Sequence, residues 1–120
     1  MTNAVYEFRD YHYDGDLEAY RRWWEEALPI MRQRFEIVGV WTAGDEPVRV
    51  AGETPMDLPL GSPNVTWVIR WDDMAHREEA WEAMGDDAEW QALAQRHPGF
   101  EKYLHMSVRF LLPVERGSRP

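Results

Sequence analysis

Short runs of alternating apolar and polar residues, separated by stretches of helical periodicity, predict four strands and two helical regions. The alternation is clearest where Val65, Trp67, Ile69 and Trp71 fall on one side of an extended chain. The predicted order is a strand over 4–12, a helix over 17–35, strands over 36–42 and 64–71, a helix ending near 84, a short helix restarting at 86–87, and a strand over 103–113.

Local signals mark where these elements begin, bend or end. Asp16 is a predicted N-cap of the first helix, and Asp72 and Asp73 are placed to cap the second. Pro29 removes one backbone donor from the first helix, which predicts a kink or a break into two segments. Gly39 predicts a bulge or a close backbone approach in the second strand.

The apolar stripe of the first helix indicates which residues enter the core. Trp24 lies at the centre of this stripe and is therefore predicted to be buried. Trp23 and Ile30 fall beside the stripe, so we assign them to an interface with another chain rather than to the core.

The order strand, helix, strand occurs twice, which is typical of the split arrangement of ferredoxin-like folds. We therefore predict one α+β domain over residues 1–114, a ferredoxin-like βαββαβ unit whose four-stranded antiparallel sheet has helices on one face only. The other face needs a cover, and a second copy of the chain would provide one, so a homodimer is expected. Residues 115–120 are polar and are predicted to form a frayed tail.

Residues 43–64 form a predicted long loop between the second and third strands. They contain four of the eight prolines and three of the eight glycines, with little periodicity. Structureless loops of this length are uncommon in compact domains and often act as lids over a site. A lid and a plain connection are both compatible with this composition.

Composition and charge narrow the possible partners of the 120-residue chain. The formal net charge of -9 disfavours nucleic acid and anionic membrane surfaces, and no apolar run is long enough to span a bilayer. The chain has no cysteine, which excludes disulfides and thiolate chemistry, and we expect a cytoplasmic protein. Seven tryptophans exceed the need of a small core, so some should line a cavity or an interface.

Four stretches of the chain resemble the NIPSNAP family. They are VYEFRDY at 5–11, ALP at 27–29, VGVW at 38–41 and DAEW at 87–90. The resemblance implies a dimeric α/β barrel, a class that also includes antibiotic-biosynthesis monooxygenases, haem-degrading oxygenases and polyketide cyclases. It implies no settled activity. The long loop over 43–64 departs from the family pattern, in which this connection is shorter.

Strand alternation also sorts side chains between the helix-facing side of the sheet and the opposite side. The more apolar set of each strand is assigned to the helices: Tyr6, Phe8, Trp67, Ile69, Val108 and Phe110. The opposite side then carries Glu7, Arg9, Tyr11, Thr66, Val68, Arg70, His105, Ser107, Arg109 and Leu111. Three arginines would face one carboxylate, which leaves capacity for an anionic or enolate-like ligand unless these charges form only a structural network.

Roles within this set follow from side-chain chemistry. His105 is assigned to acid/base catalysis, because histidine is the side chain used most often for proton transfer, together with Glu7 as a proton carrier and Tyr11 as a donor to a carbonyl oxygen. Substrate binding is assigned to a set of donors and one aromatic residue: Arg9, Arg70, Arg109, Trp41, Thr66 and Ser107.

Three functions fit these residues. The first is a small-molecule enzyme of bacterial natural-product metabolism, with cofactor-independent acid/base chemistry such as cyclisation, isomerisation or dehydration of an anionic or carbonyl-bearing substrate. The second is an oxygenase in which Trp41, Trp67 and Trp71 hold a flat electron-rich substrate. The third is a non-catalytic binding or interaction dimer. The sequence has no phosphate loop, nucleophile elbow or metal-ligand spacing, so neither cofactor nor metal is expected.

Overall fold

The computed structural model describes residues 4–115, and its elements follow the predicted order. They are β1 (Val5–Tyr13), α1 (Leu17–Met31), β2 (Glu36–Thr42), β3 (Val65–Trp71), α2 (Met74–Met84), α3 (Ala88–Gln95), a short 3-10 helix (Phe100–Lys102) and β4 (Tyr103–Leu111). The 3-10 helix was not predicted. The tail predicted over 115–120 lies outside the described residues from position 116 onward.

The strands form one antiparallel sheet in the order β2-β3-β1-β4. This order confirms the predicted ferredoxin-like α+β class. The register of β2 against β3 shifts between Ile37 and Gly39, so the predicted bulge at this glycine is confirmed. A second shift between His12 and Tyr13 interrupts the pairing of β1 with β4.

The helices begin where capping chemistry predicts, but α1 ends early. Asp16 accepts hydrogen bonds from the backbone N–H groups of the first turn, and Asp73 caps α2 in the same way. Helix α1 continues through Pro29 and ends at Met31, so the prediction of a helix reaching residue 35 was wrong. Pro29 lies in the last turn of α1, where it removes one backbone donor two residues before the helix ends. A turn then carries Phe35 into the core.

The core between the helices and the sheet is rich in aromatic residues. Trp24 is buried, as predicted, but Trp23 is equally buried, and its indole N–H donates to the Leu93 carbonyl at 2.8 Å. The assignment of Trp23 to an interface rather than the core was therefore wrong, because the residue is buried within the single chain and its indole N–H links α1 to α3. Ile30 is half-buried and packs against the same core.

The register of β1 corrects the predicted faces of the sheet. Glu7 pairs with Ile69, Arg9 with Trp67, and Tyr11 with Val65. Glu7, Arg9 and Tyr11 therefore face the helices, while Tyr6 and Phe8 face the open side. The prediction failed because it gave the helix face to the more apolar set of β1. Glu7 can be buried because Arg77 on α2 pairs with it, and the sequence of β1 does not reveal this partner.

The segment between β2 and β3 is exposed along nearly its whole length. Its end is fixed to β1, because the Asn64 amide donates to the Tyr13 carbonyl and accepts from the Tyr13 N–H, each at 2.8 Å. His12 adds a hydrogen bond of 2.9 Å from Nε2 to the Gly61 carbonyl. None of the residues that line the aromatic cavity described below comes from this segment.

Candidate functional site

A cavity of about 270 Å³ lies between the helix face of the sheet and the helices. Most of its wall is aromatic, including five of the tryptophans: Trp23, Trp24, Trp67, Trp81 and Trp90. Arg9, Tyr11, His97 and Tyr103 supply its polar groups. The volume equals that of about nine liquid waters, which suits a molecule of one or two fused rings.

The Tyr11 hydroxyl is a polar group of this cavity that is fixed by two hydrogen bonds. Its hydroxyl oxygen accepts a hydrogen bond from Arg9 Nε at 2.6 Å and another from Trp67 Nε1 at 2.9 Å. A phenol oxygen has two acceptor positions and one hydrogen to donate. Both acceptor positions are filled, and within residues 4–115 that hydrogen has no acceptor. Burial raises the pKa of Tyr11 despite the nearby Arg9, so the group stays protonated and can donate to a ligand.

Glu7 fixes the position of Arg9 through a buried ion pair. The Glu7 side chain is 0% exposed, and its oxygens accept from Arg9 Nη1 at 2.5 Å and Arg77 Nε at 2.8 Å. Trp71 Nε1 donates a further hydrogen bond of 2.9 Å. Burial by itself raises the pKa of Glu7, but the hydrogen bonds from Arg77, Arg9 and Trp71 outweigh it and hold the pKa below its usual range. Glu7 is therefore an ionised group that orients Arg9, and it does not line the cavity.

Arg9 lies among aromatic rings at the edge of the cavity. Its guanidinium carbon is 5.0 Å from the ring centre of Trp81 and 5.5 Å from that of Trp67. Its Nε and Nη1 are used by Tyr11 and Glu7, which leaves further N–H groups for a ligand. Arg9 and Arg77 share one buried carboxylate. Arg77 also contacts Glu78 at 2.9 Å, so this face has no excess of arginine over carboxylate in this cluster.

A second polar group lies on the wall formed by α3 and the start of β4. His97 Nε2 and the Tyr103 hydroxyl are 3.0 Å apart, and the Tyr103 and Tyr20 hydroxyls are 2.8 Å apart. Burial lowers the pKa of His97 to about 4, so the imidazole is neutral at physiological pH. Burial likewise raises the pKa of Tyr103, which keeps its hydroxyl protonated.

The remaining predicted site residues lie on the open face, where the arginines are already paired. Arg70 contacts Glu36 at 3.1 Å and Asp72 at 3.0 Å, and Arg109 lies 3.7 Å from Asp10. The expectation of three arginines around one carboxylate on that face was therefore wrong. Thr66, which donates to Asp10 at 2.6 Å, also faces this side, as do Ser107, His105 and Trp41.

His105 pairs across the strands with His12, and their rings are 5.8 Å apart. Trp41 is 53% exposed, and its ring lies against the backbone of Gly39. The sheet separates both residues from Tyr11. The structure thus brings Glu7, Arg9 and Tyr11 together and places the other six predicted residues elsewhere.

Sequence reasoning missed Arg77, Trp81, His97 and Tyr103. A signal existed for the first two, because residues four apart lie on the same side of a helix and both therefore face the sheet. No comparable signal marks His97 and Tyr103. A turn after α3 brings His97 next to the first residue of β4, and that contact depends on the tertiary fold.

The fold and site define a ferredoxin-like α+β domain with an aromatic cavity whose polar groups are mainly hydrogen-bond donors. Similar folds occur in a NIPSNAP family protein from Agrobacterium tumefaciens strain C58, with a TM-score of 0.72 at 17% identity over 97% of this chain and 90% of that one. An uncharacterized NIPSNAP domain protein from Burkholderia xenovorans has a TM-score of 0.69 at 23% identity, over 97% of this chain and 98% of that one. At these identities the likeness concerns the fold alone.

The family model for NIPSNAP matches residues 59–116. The resemblance of this chain to the NIPSNAP family is therefore confirmed. Of the four stretches that first indicated it, only 87–90 falls within the matched residues. A comparison with curated proteins finds no significant match. Within residues 4–115, no helix is both long and apolar enough to cross a membrane.

Proposed function

We propose that the chain binds a flat, largely apolar molecule carrying a carbonyl or carboxylate oxygen, and that it promotes proton transfer at the carbon next to that oxygen. The observation that carries this proposal is the Tyr11 hydroxyl, which accepts from Arg9 and Trp67 and keeps its own hydrogen for a ligand. The aromatic walls would hold the rings, and the donors at Arg9 and Tyr11 would fix the oxygen.

The geometry favours stabilisation of an enolate. When a proton leaves the carbon next to a carbonyl, negative charge develops on the carbonyl oxygen. A fixed O–H donor supported by a guanidinium stabilises that charge more than it stabilises the neutral ground state. Water entering the cavity would carry the proton. Cyclisation, isomerisation and dehydration of carbonyl compounds can all pass through such an enolate, and none of them requires a cofactor.

A second candidate is a binding protein without catalysis. It is favoured by one observation: both nitrogens of His97 are engaged, by the Gly99 N–H and by Tyr103, and no other histidine of the described residues lies on the cavity wall. Among residues 4–115, no carboxylate lines the cavity. The cavity therefore offers donors for binding an oxygen but no evident protein base.

Hydrogen–deuterium exchange of tetralone separates these candidates. Tetralone has one carbonyl and exchangeable hydrogens on the neighbouring carbon, and proton NMR in D₂O measures their loss. We expect the protein to accelerate the exchange and Arg9→Met and Tyr11→Phe to abolish the acceleration. Arg109→Met, which removes an arginine from the open face, should leave it unchanged.

Other outcomes are equally informative. Binding without acceleration would reject catalysis of this kind and favour the binding protein. Equal acceleration by all three variants would overturn the assignment of the site. Uptake of oxygen during incubation with an electron-rich naphthol would favour the oxygenase considered from the sequence.

We also propose that the chain forms a homodimer through β4. This strand lies at the edge of the sheet, and most of its apolar side chains are exposed. Leu104 is 57% exposed, Met106 46% and Phe110 42%. A long, exposed apolar edge strand favours pairing with another chain, and a second copy is the partner always present. Met106 also lines the cavity, so a partner packed here would cover one side of it.

A further inference from the structure

We propose that Tyr103 is a second ligand-binding hydroxyl in the aromatic cavity, so that the preferred ligand carries two oxygen acceptors. The inference rests on the proposed function, because it concerns the same cavity. It is supported by a hydrogen-bond chain that runs from the Gly99 backbone through His97 and Tyr103 to Tyr20.

The backbone fixes the direction of the first part of this chain. Gly99 N–H lies 3.0 Å from His97 Nδ1. An amide N–H can only donate, so Nδ1 is the acceptor, and in the neutral ring the hydrogen is on Nε2. His97 Nε2 therefore donates to the Tyr103 oxygen, 3.0 Å away. The imidazole stacks on Phe100 with ring centres 3.9 Å apart, which holds it in this orientation.

The second part of the chain can run in either direction. The hydroxyls of Tyr103 and Tyr20 are 2.8 Å apart, and either can be the donor. If Tyr103 donates, the Tyr20 hydrogen has no acceptor among the described residues. If Tyr20 donates, the Tyr103 hydrogen has none. The three donors are His97 Nε2–H and the hydroxyls of Tyr103 and Tyr20, and they share two internal hydrogen bonds. One hydrogen therefore has no acceptor among the described residues, which is unfavourable in a partly buried site.

A ligand oxygen would remove this deficit. Tyr103 lines the cavity, whereas Tyr20 is 0% exposed and does not. When Tyr20 donates to Tyr103, the hydrogen of Tyr103 can turn toward the ligand. Tyr103 then accepts two hydrogen bonds and donates one, as Tyr11 does. The change needs only two hydroxyl rotations, and no existing hydrogen bond is lost.

The relative position of the two tyrosines defines the ligand class. The rings of Tyr11 and Tyr103 meet edge to face with their centres 5.0 Å apart, so both donors belong to the same region of the cavity. The surrounding wall is mostly aromatic. These features favour a planar aromatic compound with two carbonyl-type oxygens, such as a quinone or an aromatic diketone.

Calorimetric titration with naphthoquinone, which has two carbonyl oxygens, and with tetralone, which has one, tests this inference. The chain has no cysteine to react with the quinone. We expect Tyr103→Phe to weaken naphthoquinone binding about fivefold, the typical effect of one neutral hydrogen bond, with little change for tetralone. Tyr20→Phe should retain the affinity for naphthoquinone, because it removes only the competing acceptor and leaves the Tyr103 hydrogen free.

Three results would overturn the inference. The first is a Tyr103→Phe variant with the wild-type ratio of the two affinities. The second is a Tyr20→Phe variant that loses the preference for naphthoquinone, which also decides the matter if Tyr103→Phe does not fold. The third is failure of both probes to bind the wild-type chain, which would remove the proposed function as well. Naphthoquinone binding that is weakened by Tyr11→Phe but not by Tyr103→Phe would overturn only the second hydroxyl and leave the proposed function standing.

Discussion

Replacing Glu7 by glutamine keeps the shape of the side chain but removes the buried charge that pairs with both Arg9 and Arg77. The Glu7 side chain is 0% exposed, and those of Arg9 and Arg77 are only 15% and 19% exposed. The new amide would also direct its NH₂ group toward N–H donors. Breaking a buried ion pair by removing one partner costs about 3 to 5 kcal/mol. Because both guanidinium groups retain some contact with water, we expect a loss near the lower limit, about 3 kcal/mol.

Urea unfolding followed by tryptophan fluorescence measures this loss. The matched control is Asp10→Asn on the same strand, because Asp10 faces the open side and lies 3.7 Å from the half-exposed Arg109. We expect the control to lose less than about 1 kcal/mol. A Glu7→Gln variant as stable as Asp10→Asn would refute the view that Glu7 is the structural anchor of Arg9. A reduced ability to bind naphthoate should accompany the loss of stability, since Arg9 would lose its orientation.

Three further predictions concern the core, the pH dependence and the assembly. Trp24→Ala should cost about 3 to 5 kcal/mol in unfolding free energy, whereas Trp41→Ala on the open face should cost less than about 1 kcal/mol; equal losses would contradict the burial of Trp24. The folded pKa of His97, about 4, lies below the usual value of about 6.5, so the unfolded chain binds more protons between these values and stability should fall as pH decreases through this window. After allowance for partial solvent exposure, we expect the unfolding free energy to fall by about 2 kcal/mol across this pH window. In pH-dependent urea unfolding, His97→Asn should lack this decrease; a His97→Asn variant with the wild-type pH profile would reject the role of His97. Sedimentation should show a dimer at micromolar concentration and a monomer for Val108→Lys, while Val48→Lys remains dimeric; a monomeric wild-type chain would reject the β4 interface.

The order and type of the elements could be predicted because local chemistry dictates them. Asp16, Asp73 and Asp87 each precede a helix and cap it in the structure. The strict alternation of β3 reflects a strand in which one side is fully buried. Gly39 marked a bulge that the register confirms. In each case the signal and the structural feature lie within a few residues of one another.

The composition of the site could be predicted only in part. Glu7, Arg9 and Tyr11 were selected from their alternation, and they do lie together. They were assigned to the wrong face of the sheet, because the assignment used hydrophobicity alone. Hydrophobicity fails to orient a strand when a charged side chain can be buried against a partner that is distant in sequence. Here Arg77 on α2 makes a charged helix face of β1 possible. The pairing of Arg70 and Arg109 with Glu36, Asp72 and Asp10 likewise follows from the tertiary fold, which brings separate strands and turns together.

The affinity for naphthoate of the wild-type chain, Arg9→Met and Arg109→Met tests the central claim most directly. Naphthoate combines a planar aromatic body with one carboxylate, and quenching of tryptophan fluorescence reports its entry into a cavity lined by five tryptophans. A charge-assisted hydrogen bond is worth about 1.5 to 3 kcal/mol, so Arg9→Met should weaken binding roughly 10- to 100-fold. Arg109→Met should bind as the wild type does. Equal affinity of Arg9→Met and the wild type, or a loss confined to Arg109→Met, would contradict the assignment of the ligand site to the helix face of the sheet.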